Sequence, residues 1–178
     1  MTKKIIAFGA SSSKYSINQK LANFAANAIS NANVKLLDLN DFEMPIFSID
    51  RELESGIPEL AYEFKKQVKN VDGIVISFAE HNGAYSAAFK NIFDWISRIE
   101  NDVWLNKPMF LLATSPGKNG GKSVLDIAVT KFRRMNANTI VSFSLPSFSN
   151  NFSEKDGITD KTLLHMFNKQ LALFELTL

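Results

Sequence analysis

Cysteine is absent from this chain of 178 residues, and histidine occurs only twice. Without cysteine the protein has no disulfide bond, no thiolate nucleophile and no zinc or iron–sulfur cluster that depends on cysteine ligands. Two histidines also argue against a zinc site. We therefore predict that the chain holds no metal.

Long apolar runs are missing as well. The run that starts at Ile5 ends at Gly9, which is too short for a signal peptide. No later segment approaches the roughly 20 apolar residues that cross a bilayer. The sequence therefore predicts a cytoplasmic protein with no membrane partner.

Neither sign of charge dominates, because 20 lysines and arginines stand against 18 aspartates and glutamates, giving a net charge of +2. The charges are scattered, without the basic runs and interleaved aromatic residues typical of nucleic-acid binding. We expect no nucleic-acid partner. In contrast, 46% of the residues are hydrophobic, enough at this length to bury a substantial core. Residues 1–178 are predicted to form a single domain.

Apolar runs alternate along the chain with segments of helical spacing. The runs lack strict period-two alternation, which is typical of parallel strands buried on both faces. The predicted strands are Lys4–Phe8, Val34–Leu39, Gly73–Phe78, Pro108–Thr114 and Thr139–Phe143. Five strand–helix repeats indicate an α/β fold, a three-layer sandwich with helices on both faces of a parallel sheet. Five strands favour the flavodoxin-like order 2-1-3-4-5, with ligands at the carboxyl ends of the strands.

The loop after the first predicted strand reads GASSSKYSINQKLA, residues 9–22. Its hydroxyl and amide side chains surround the amino end of the next helix, where free N–H groups and the helix dipole attract anions. This pattern favours a phosphate site. The alternative is that Ser16 simply caps the helix.

Other phosphate-binding motifs do not match. The dinucleotide fingerprint Gly-x-Gly-x-x-Gly is absent, and GKNGGKS, residues 117–123, has the wrong spacing for a P-loop. A receiver domain needs paired acids after the first strand, where this chain has serines.

Two further loops follow the third and fourth predicted strands. The first contains Glu80-His81-Asn82-Gly83, in which glycine lets the main chain approach a flat ring and the neighbouring side chains supply donors. The second, TSPGKNGGKS (residues 114–123), contains three glycines. Because all three loops lie at one edge of the predicted sheet, they predict a mononucleotide site.

These loops resemble those of the NADPH-dependent FMN reductases and their azo- and quinone-reductase relatives. The stretch EHNGAYSAAFKNIFDW, residues 80–95, is similar to that family's Pro-Glu-Tyr-Asn-Gly loop followed by Leu-Lys-Asn-Ala-Ile-Asp-Trp. The first loop resembles Gly-Ser-x-Arg-x-x-Ser-x-Asn and the third resembles Ser-x-Gly-Gly-x-x-Gly. The resemblance extends from Lys4 to about Val141 and implies a flavodoxin-like fold.

The resemblance implies FMN as cofactor and NADPH or NADH as co-substrate. The cofactor-binding residues that it implies are Ser11, Ser13, Lys14, Ser16, Ile17, Asn18, Glu80, His81, Asn82, Gly83, Ser115, Gly117, Gly120 and Gly121. Ser13 replaces the family's phosphate-binding arginine, and the adjacent Lys14 is a point charge without a bidentate fork. His81 replaces the family's tyrosine, and Ala79 its proline.

By this resemblance the chain is an oxidoreductase that passes a hydride from NAD(P)H through FMN to a quinone, an azo compound, chromate or free flavin. The cofactor performs this chemistry, so no side chain is required as a catalyst. His81 is a candidate for ring contact or for proton delivery. Glu80 is either a general base or an ordinary loop carboxylate.

The alternative function is that of a flavodoxin-type electron carrier without nicotinamide turnover. Flavodoxins are as a rule strongly acidic, whereas this chain carries +2, which argues against docking on a basic reductase surface. A flavin-binding protein without any turnover is a third possibility.

The resemblance also implies a second subunit over the site, so the expected protein partner is another copy in a homodimer or homotetramer. Four features are candidates for that interface and are equally consistent with the core: Trp95, Trp104, and the apolar segments Phe42–Ile49 and Phe143–Phe152.

Overall fold

The computed structural model describes residues Met1–Leu178. The main sheet contains β1 (Lys3–Ala10), β2 (Ala32–Leu36), β3 (Gly73–Phe78), β6 (Met109–Thr114) and β7 (Ile140–Leu145). Two short hairpins are formed by β4 (Glu80–His81) with β5 (Ala84–Tyr85) and by β8 (Phe152–Ser153) with β9 (Gly157–Ile158). The helices are α1 (Ile17–Asn27), α2 (Ile49–Ser55), α3 (Glu59–Lys69), α4 (Ala87–Ile96), α5 (Lys122–Met135), α6 (Phe148–Asn151) and α7 (Lys161–Glu175).

The five main strands are parallel and follow the order β2-β1-β3-β6-β7. This confirms the predicted order 2-1-3-4-5. Ala10 lies opposite Phe78, which in turn lies opposite Ala113. Because three neighbouring strands end at this level, the loops that follow them emerge side by side.

Two separate cores lie on the two faces of the sheet, as expected of a three-layer sandwich. Successive side chains of a strand point to opposite faces. Ile5 and Ala7 therefore pack with α1 and α7 in one core, whereas Ile6 and Phe8 pack with α3, α4 and α5 in the other. The fold class is the predicted flavodoxin-like α/β sandwich.

The prediction for the second strand was wrong in burial and partly in position. β2 spans Ala32–Leu36 rather than Val34–Leu39, and none of its residues is fully buried. The reason is that β2 is an edge strand that packs mainly against α1, whereas the other edge strand, β7, is covered by both α5 and α7. The ends of the other strands differ from the predictions by up to two residues, the usual uncertainty of element boundaries.

The apolar features left undecided by the sequence divide between core and surface. Trp95 and Trp104 are 1% and 0% exposed and belong to the core. Phe42 and Met44 are also buried, whereas Ile46 is 75% exposed. In the segment Phe143–Phe152 the buried side chains are those of Phe143, Leu145 and Phe148. No helix of the protein combines the length and the apolar character needed to cross a membrane.

Candidate functional site

A cleft of about 230 Å³ opens at the carboxyl edge of β1, β3 and β6. The loops after these three strands form its walls, as the sequence predicts. The lining residues are Ser11, Ser13, Tyr15, Ser16, Ile17, Asn18, Ala79, Glu80, His81, Thr114, Ser115 and Pro116. No three His, Asp or Glu side chains gather into a potential metal-binding cluster.

Gly9 brings the amino end of α1 against the end of β1. A Cβ atom at Gly9 would lie 2.4 Å from the backbone nitrogen of Gln19, so only glycine permits this approach. The Gln19 side chain reinforces the contact, because its Oε1 accepts a hydrogen bond from Gly9 N–H at 2.5 Å and its Nε2 donates to Leu37 O at 2.9 Å. The first turn of α1 is thereby fixed at the floor of the cleft.

The amino end of α1 offers unpaired donors to this cleft. Ser16 caps the helix by accepting from Gln19 N–H at 3.2 Å, and its contact with a phosphate stays a prediction. The N–H groups of Ile17 and Asn18 donate to no backbone carbonyl. Ser11 Oγ accepts from Ser13 N–H at 3.1 Å, while the Ser13 side chain is exposed. Free N–H groups at a helix start, with hydroxyls beside them, fit a phosphate group.

The Asn18 side chain has a structural role that the sequence did not reveal. It is 3% exposed and connects α1 to two strands. Its Nδ2 donates to Thr114 O at 3.1 Å, and its Oδ1 accepts from Thr114 N–H at 3.1 Å and from Ser77 Oγ at 2.7 Å. Asn18 lines the cleft, and the amide group of its side chain is bonded to Ser77 of β3 and to Thr114 of β6.

Asn82 and Gly83 form the two-residue turn between β4 and β5. Their φ angles are 53° and 76°, and positive φ at both positions is what a type I′ hairpin turn requires. A Cβ atom at Gly83 would meet nothing within 4 Å. Local turn geometry thus explains this Asn-Gly pair. Both residues are exposed and lie outside the lining of the cleft.

Glu80 connects the second loop to the third. Its Oε2 accepts a hydrogen bond from Val124 N–H at 3.1 Å, in the first turn of α5. The N-cap residue of α5 is Gly121, which supplies no side-chain cap. Glu80 therefore caps α5 from another loop, and its negative charge lies at the positive end of the helix dipole.

The hairpin is also joined to β1 and to the core behind it. Ser86 Oγ donates to Ala10 O at 2.7 Å and caps α4 by accepting from Phe89 N–H at 3.2 Å. Tyr85 packs against Phe78 and Phe89, and its hydroxyl is buried without a hydrogen-bond partner. Burial raises the pKa of Tyr85 to about 12, so its phenol stays protonated near neutral pH.

Two glycines of the third loop are packed against strands. A Cβ atom at Gly120 would lie 2.6 Å from Ser144 Oγ and 2.8 Å from Pro146 N. One at Gly121 would lie 3.0 Å from the Cβ of Ala113. Both glycines are buried, have positive φ and lie outside the lining of the cleft.

The structure therefore brings together only part of the predicted set. The predicted residues that line the cleft are Ser11, Ser13, Ser16, Ile17, Asn18, Glu80, His81 and Ser115. Those outside its lining are Lys14, Asn82, Gly83, Gly117, Gly120 and Gly121. Sequence reasoning missed Tyr15, Ala79, Thr114 and Pro116, although Ala79 and Thr114 lie at strand ends and follow from the same rule as their neighbours.

Comparison with known proteins identifies a family. Residues 3–150 match the model of a family described as NADPH-dependent FMN reductase. A 2-hydroxy-1,4-benzoquinone reductase of a Burkholderia species is 34% identical over 67% of this chain. An Arabidopsis thaliana NADPH:quinone oxidoreductase is 34% identical over 45% of this chain. These matches span 64% and 40% of the respective relatives.

Solved structures share the fold over nearly the whole chain. FerB of Paracoccus denitrificans, a flavoenzyme NAD(P)H:(acceptor) oxidoreductase, superimposes with a TM-score of 0.76 at 22% identity, covering 98% of this chain and 96% of its own. The NADH:FMN oxidoreductase EMOB in its apo form gives a TM-score of 0.73 at 20% identity, covering 99% and 90%.

Proposed function

Because the chain belongs to the NADPH-dependent FMN reductase family, we propose that it binds FMN in the cleft and transfers a hydride from NADPH or NADH to a small-molecule acceptor. FMN, when bound, supplies the hydride and electron transfer, and the protein supplies binding, orientation and exclusion of competing reactions. The acceptor is a quinone, an azo compound, chromate or free flavin. One observation carries this proposal: the unpaired amino end of α1 opens into the same cleft as the loops after β3 and β6.

In this proposal the first loop holds the phosphate. The N–H groups of Ile17 and Asn18 point out of the first turn of α1, and the hydroxyls of Ser11 and Ser13 lie in the same wall. Lys14 is exposed next to this wall. Neutral donors and the helix dipole therefore provide most of the attraction for the phosphate.

The second and third loops border the flavin ring in this proposal. His81 and Ser115 provide donors in the lining, and Glu80 provides an acceptor. Contact with the flavin ring also stays a prediction for five other residues of these loops: Asn82, Gly83, Gly117, Gly120 and Gly121. The packing of Gly120 and Gly121 against strands does not favour such a contact for these two glycines.

Anaerobic reduction tests the proposal. The purified protein is loaded with FMN, mixed with NADPH or NADH, and followed at the long-wavelength absorption band of the flavin. We expect rapid bleaching by at least one nicotinamide and recovery of colour on addition of a quinone. A flavin that is reduced only by another protein would identify an electron carrier and refute the proposal.

Two further expectations belong to the proposal: a location in the cytoplasm and assembly as a homodimer or homotetramer. The second is supported by an exposed apolar surface formed by Ile46, Ile49 and Leu53 beside α4. Leu53 is 79% exposed, and α2 contains no buried residue. A second copy that covers this surface would bury what is otherwise left in water.

A further inference from the structure

The chain contains two Asn-Gly pairs, Asn82-Gly83 and Asn119-Gly120. An asparagine followed by glycine is prone to deamidation, in which the backbone nitrogen of the glycine attacks the side-chain amide carbon of the asparagine. Glycine favours this attack because it has no Cβ atom beside the attacking nitrogen. Both asparagines are exposed. Sequence and exposure therefore do not distinguish the two pairs.

At the first pair both reacting groups are free of hydrogen bonds. The Gly83 N–H donates to no carbonyl, and the side-chain amide of Asn82 has no partner within the protein. Gly83 also has open space around it, since a Cβ atom built there would meet nothing within 4 Å. The nitrogen and the amide carbon can therefore approach each other whenever the turn opens.

The hairpin that carries this pair is held at its base and free at its tip. Ser86 Oγ donates to the end of β1 at 2.7 Å, and Glu80 Oε2 accepts from the first turn of α5 at 3.1 Å. Between these anchors β4 and β5 pair over only two residues each. So short a pairing is marginally stable by itself, and its local opening costs much less free energy than unfolding of the protein.

The second pair is held closed. Gly120 N–H donates to Gly117 O at 3.2 Å, and Asn119 Nδ2 donates to Ser123 Oγ at 3.4 Å. Gly120 is buried, and a Cβ atom there would lie 2.6 Å from Ser144 Oγ. Movement of the Gly120 nitrogen towards the Asn119 side chain would break this hydrogen bond and the packing against β7.

We infer that Asn82 is a site of spontaneous deamidation in the folded protein and that Asn119 is protected. The Gly83 nitrogen forms a bond to Asn82 Cγ, and the side-chain nitrogen leaves as ammonia, which takes up the proton of the Gly83 N–H group. Water then opens the resulting succinimide ring at either carbonyl, which yields aspartate or isoaspartate. One water is consumed and one ammonia is released, and no oxidant or reductant is required.

Peptide mapping by mass spectrometry tests this inference in the full-length folded protein, incubated in warm, mildly alkaline buffer. Deamidation raises the mass of a peptide by about 1 Da, and we expect it to accumulate about tenfold faster at Asn82 than at Asn119. The same protein in urea is the control, because both pairs should react at similar rates once the fold is lost. The inference is overturned if Asn82 reacts in urea but stays intact in the folded protein, or if both pairs react equally in the folded protein.

The reaction alters a loop that borders the cleft, because Glu80 lies two residues before Asn82 and lines it. Deamidation adds a negative charge at position 82, and isoaspartate adds a main-chain atom to a tight two-residue turn. This consequence rests on the proposed function. We expect protein deamidated at Asn82, separated by ion exchange, to bind FMN severalfold more weakly than untreated protein in a fluorescence titration.

Equal FMN affinity of the two forms would overturn this consequence. If neither form binds FMN, the proposed function fails, whereas the mass spectra still decide whether Asn82 is the modified residue.

Discussion

Asn91 and Trp95 donate hydrogen bonds to the same carbonyl oxygen, that of Pro45, at 3.2 Å from Asn91 Nδ2 and 2.7 Å from Trp95 Nε1. Asn91 Nδ2 also donates to Met44 O at 3.0 Å, and its Oδ1 accepts from Phe47 N–H at 2.8 Å. Residues four apart lie on one face of a helix. This face of α4 therefore fixes residues 44–47, the part of the chain that leads into the exposed apolar surface.

Removal of the Asn91 side chain should release this part of the chain. In Asn91→Ala the Phe47 N–H and Met44 O lose their partners, and we expect the free energy of unfolding to fall by about 2–3 kcal/mol. Asn27→Ala is the control, because that exposed amide bonds only within α1. Urea unfolding measures both. If the free energy of unfolding falls equally in the two variants, the hydrogen bonds of Asn91 to residues 44–47 do not stabilise the fold more than an exposed amide does.

Leu53→Lys should separate the subunits of the proposed assembly. A lysine at this position on α2 places a charge in the apolar surface that a second copy would cover, and the monomer tolerates it because Leu53 is 79% exposed. Light scattering coupled to size exclusion should show a smaller particle with an unchanged unfolding midpoint at low concentration. Leu176→Lys, at an exposed position after α7, should leave the assembly intact. If the wild-type protein is itself a monomer in this measurement, the proposed homodimer or homotetramer is refuted.

Asn18 and Ser13 should respond differently to replacement by alanine. Asn18→Ala leaves Thr114 N–H, Thr114 O and Ser77 without a buried partner, so we expect a loss of about 3 kcal/mol in the free energy of unfolding. Ser13→Ala should leave stability within about 0.5 kcal/mol of the wild type, because the side chain is exposed. It should weaken FMN binding severalfold in a fluorescence titration. Unchanged FMN affinity in Ser13→Ala would remove Ser13 from the phosphate site.

The order of the sheet follows from the sequence, because buried parallel strands read as continuous apolar runs and five of them leave few arrangements. The degree of burial of β2 does not follow from the sequence. Val34 and Leu36 resemble core residues, but in this edge strand Val34 is only partly buried and Leu36 is 41% exposed. α2 was not predicted because it is only seven residues long and has just two apolar residues, Ile49 and Leu53, too few to indicate a helix.

Gly120→Ala and Gly83→Ala form a matched pair of substitutions at positive φ. At Gly83 the new Cβ has open space, so only the backbone strain of about 1 kcal/mol is expected. At Gly120 the Cβ would lie 2.8 Å from Pro146 N, and we expect a loss of about 3 kcal/mol or more. Thermal or urea unfolding distinguishes the two. A smaller loss at Gly120 than at Gly83 would contradict the packing of the third loop against β7.

Tyr85→Phe should make the protein less sensitive to alkaline pH. Burial raises the pKa of Tyr85 from 10.0 to about 12, so between these values the unfolded chain loses its phenolic proton while the folded protein keeps it. The contribution of this group to stability is therefore complete below pH 10 and declines as the pH rises towards 12.

Urea unfolding at pH 8 and pH 11 checks this prediction. At pH 8 Tyr85→Phe should be as stable as the wild type or more stable by about 1 kcal/mol, because the buried hydroxyl has no partner to lose. Between the two pH values its stability should fall less than that of the wild type. Tyr62→Phe, at an exposed position, serves as control. A parallel decline in all three proteins would be evidence against the burial of the Tyr85 hydroxyl.

The location of the candidate site could be predicted from the sequence. Which of its residues face the cleft and which stabilise the fold could not. Loops after neighbouring parallel strands must meet at one edge, which is why Ser11, Glu80 and Ser115 were expected to lie together. A sequence does not distinguish an amide that faces a ligand from one that joins two strands, as Asn18 does. Nor does it distinguish a glycine required by a ligand from one required by packing, as at Gly120.

The position of β2 at the edge of the sheet has a consequence for behaviour at high concentration. One side of β2 has no neighbouring strand, and Asn33 and Lys35 are exposed along it, with Lys35 Nζ donating to Gln67 Oε1 at 2.8 Å. Polar and charged side chains on such a strand discourage the addition of a strand from another molecule. The protein is thereby protected from edge-to-edge aggregation.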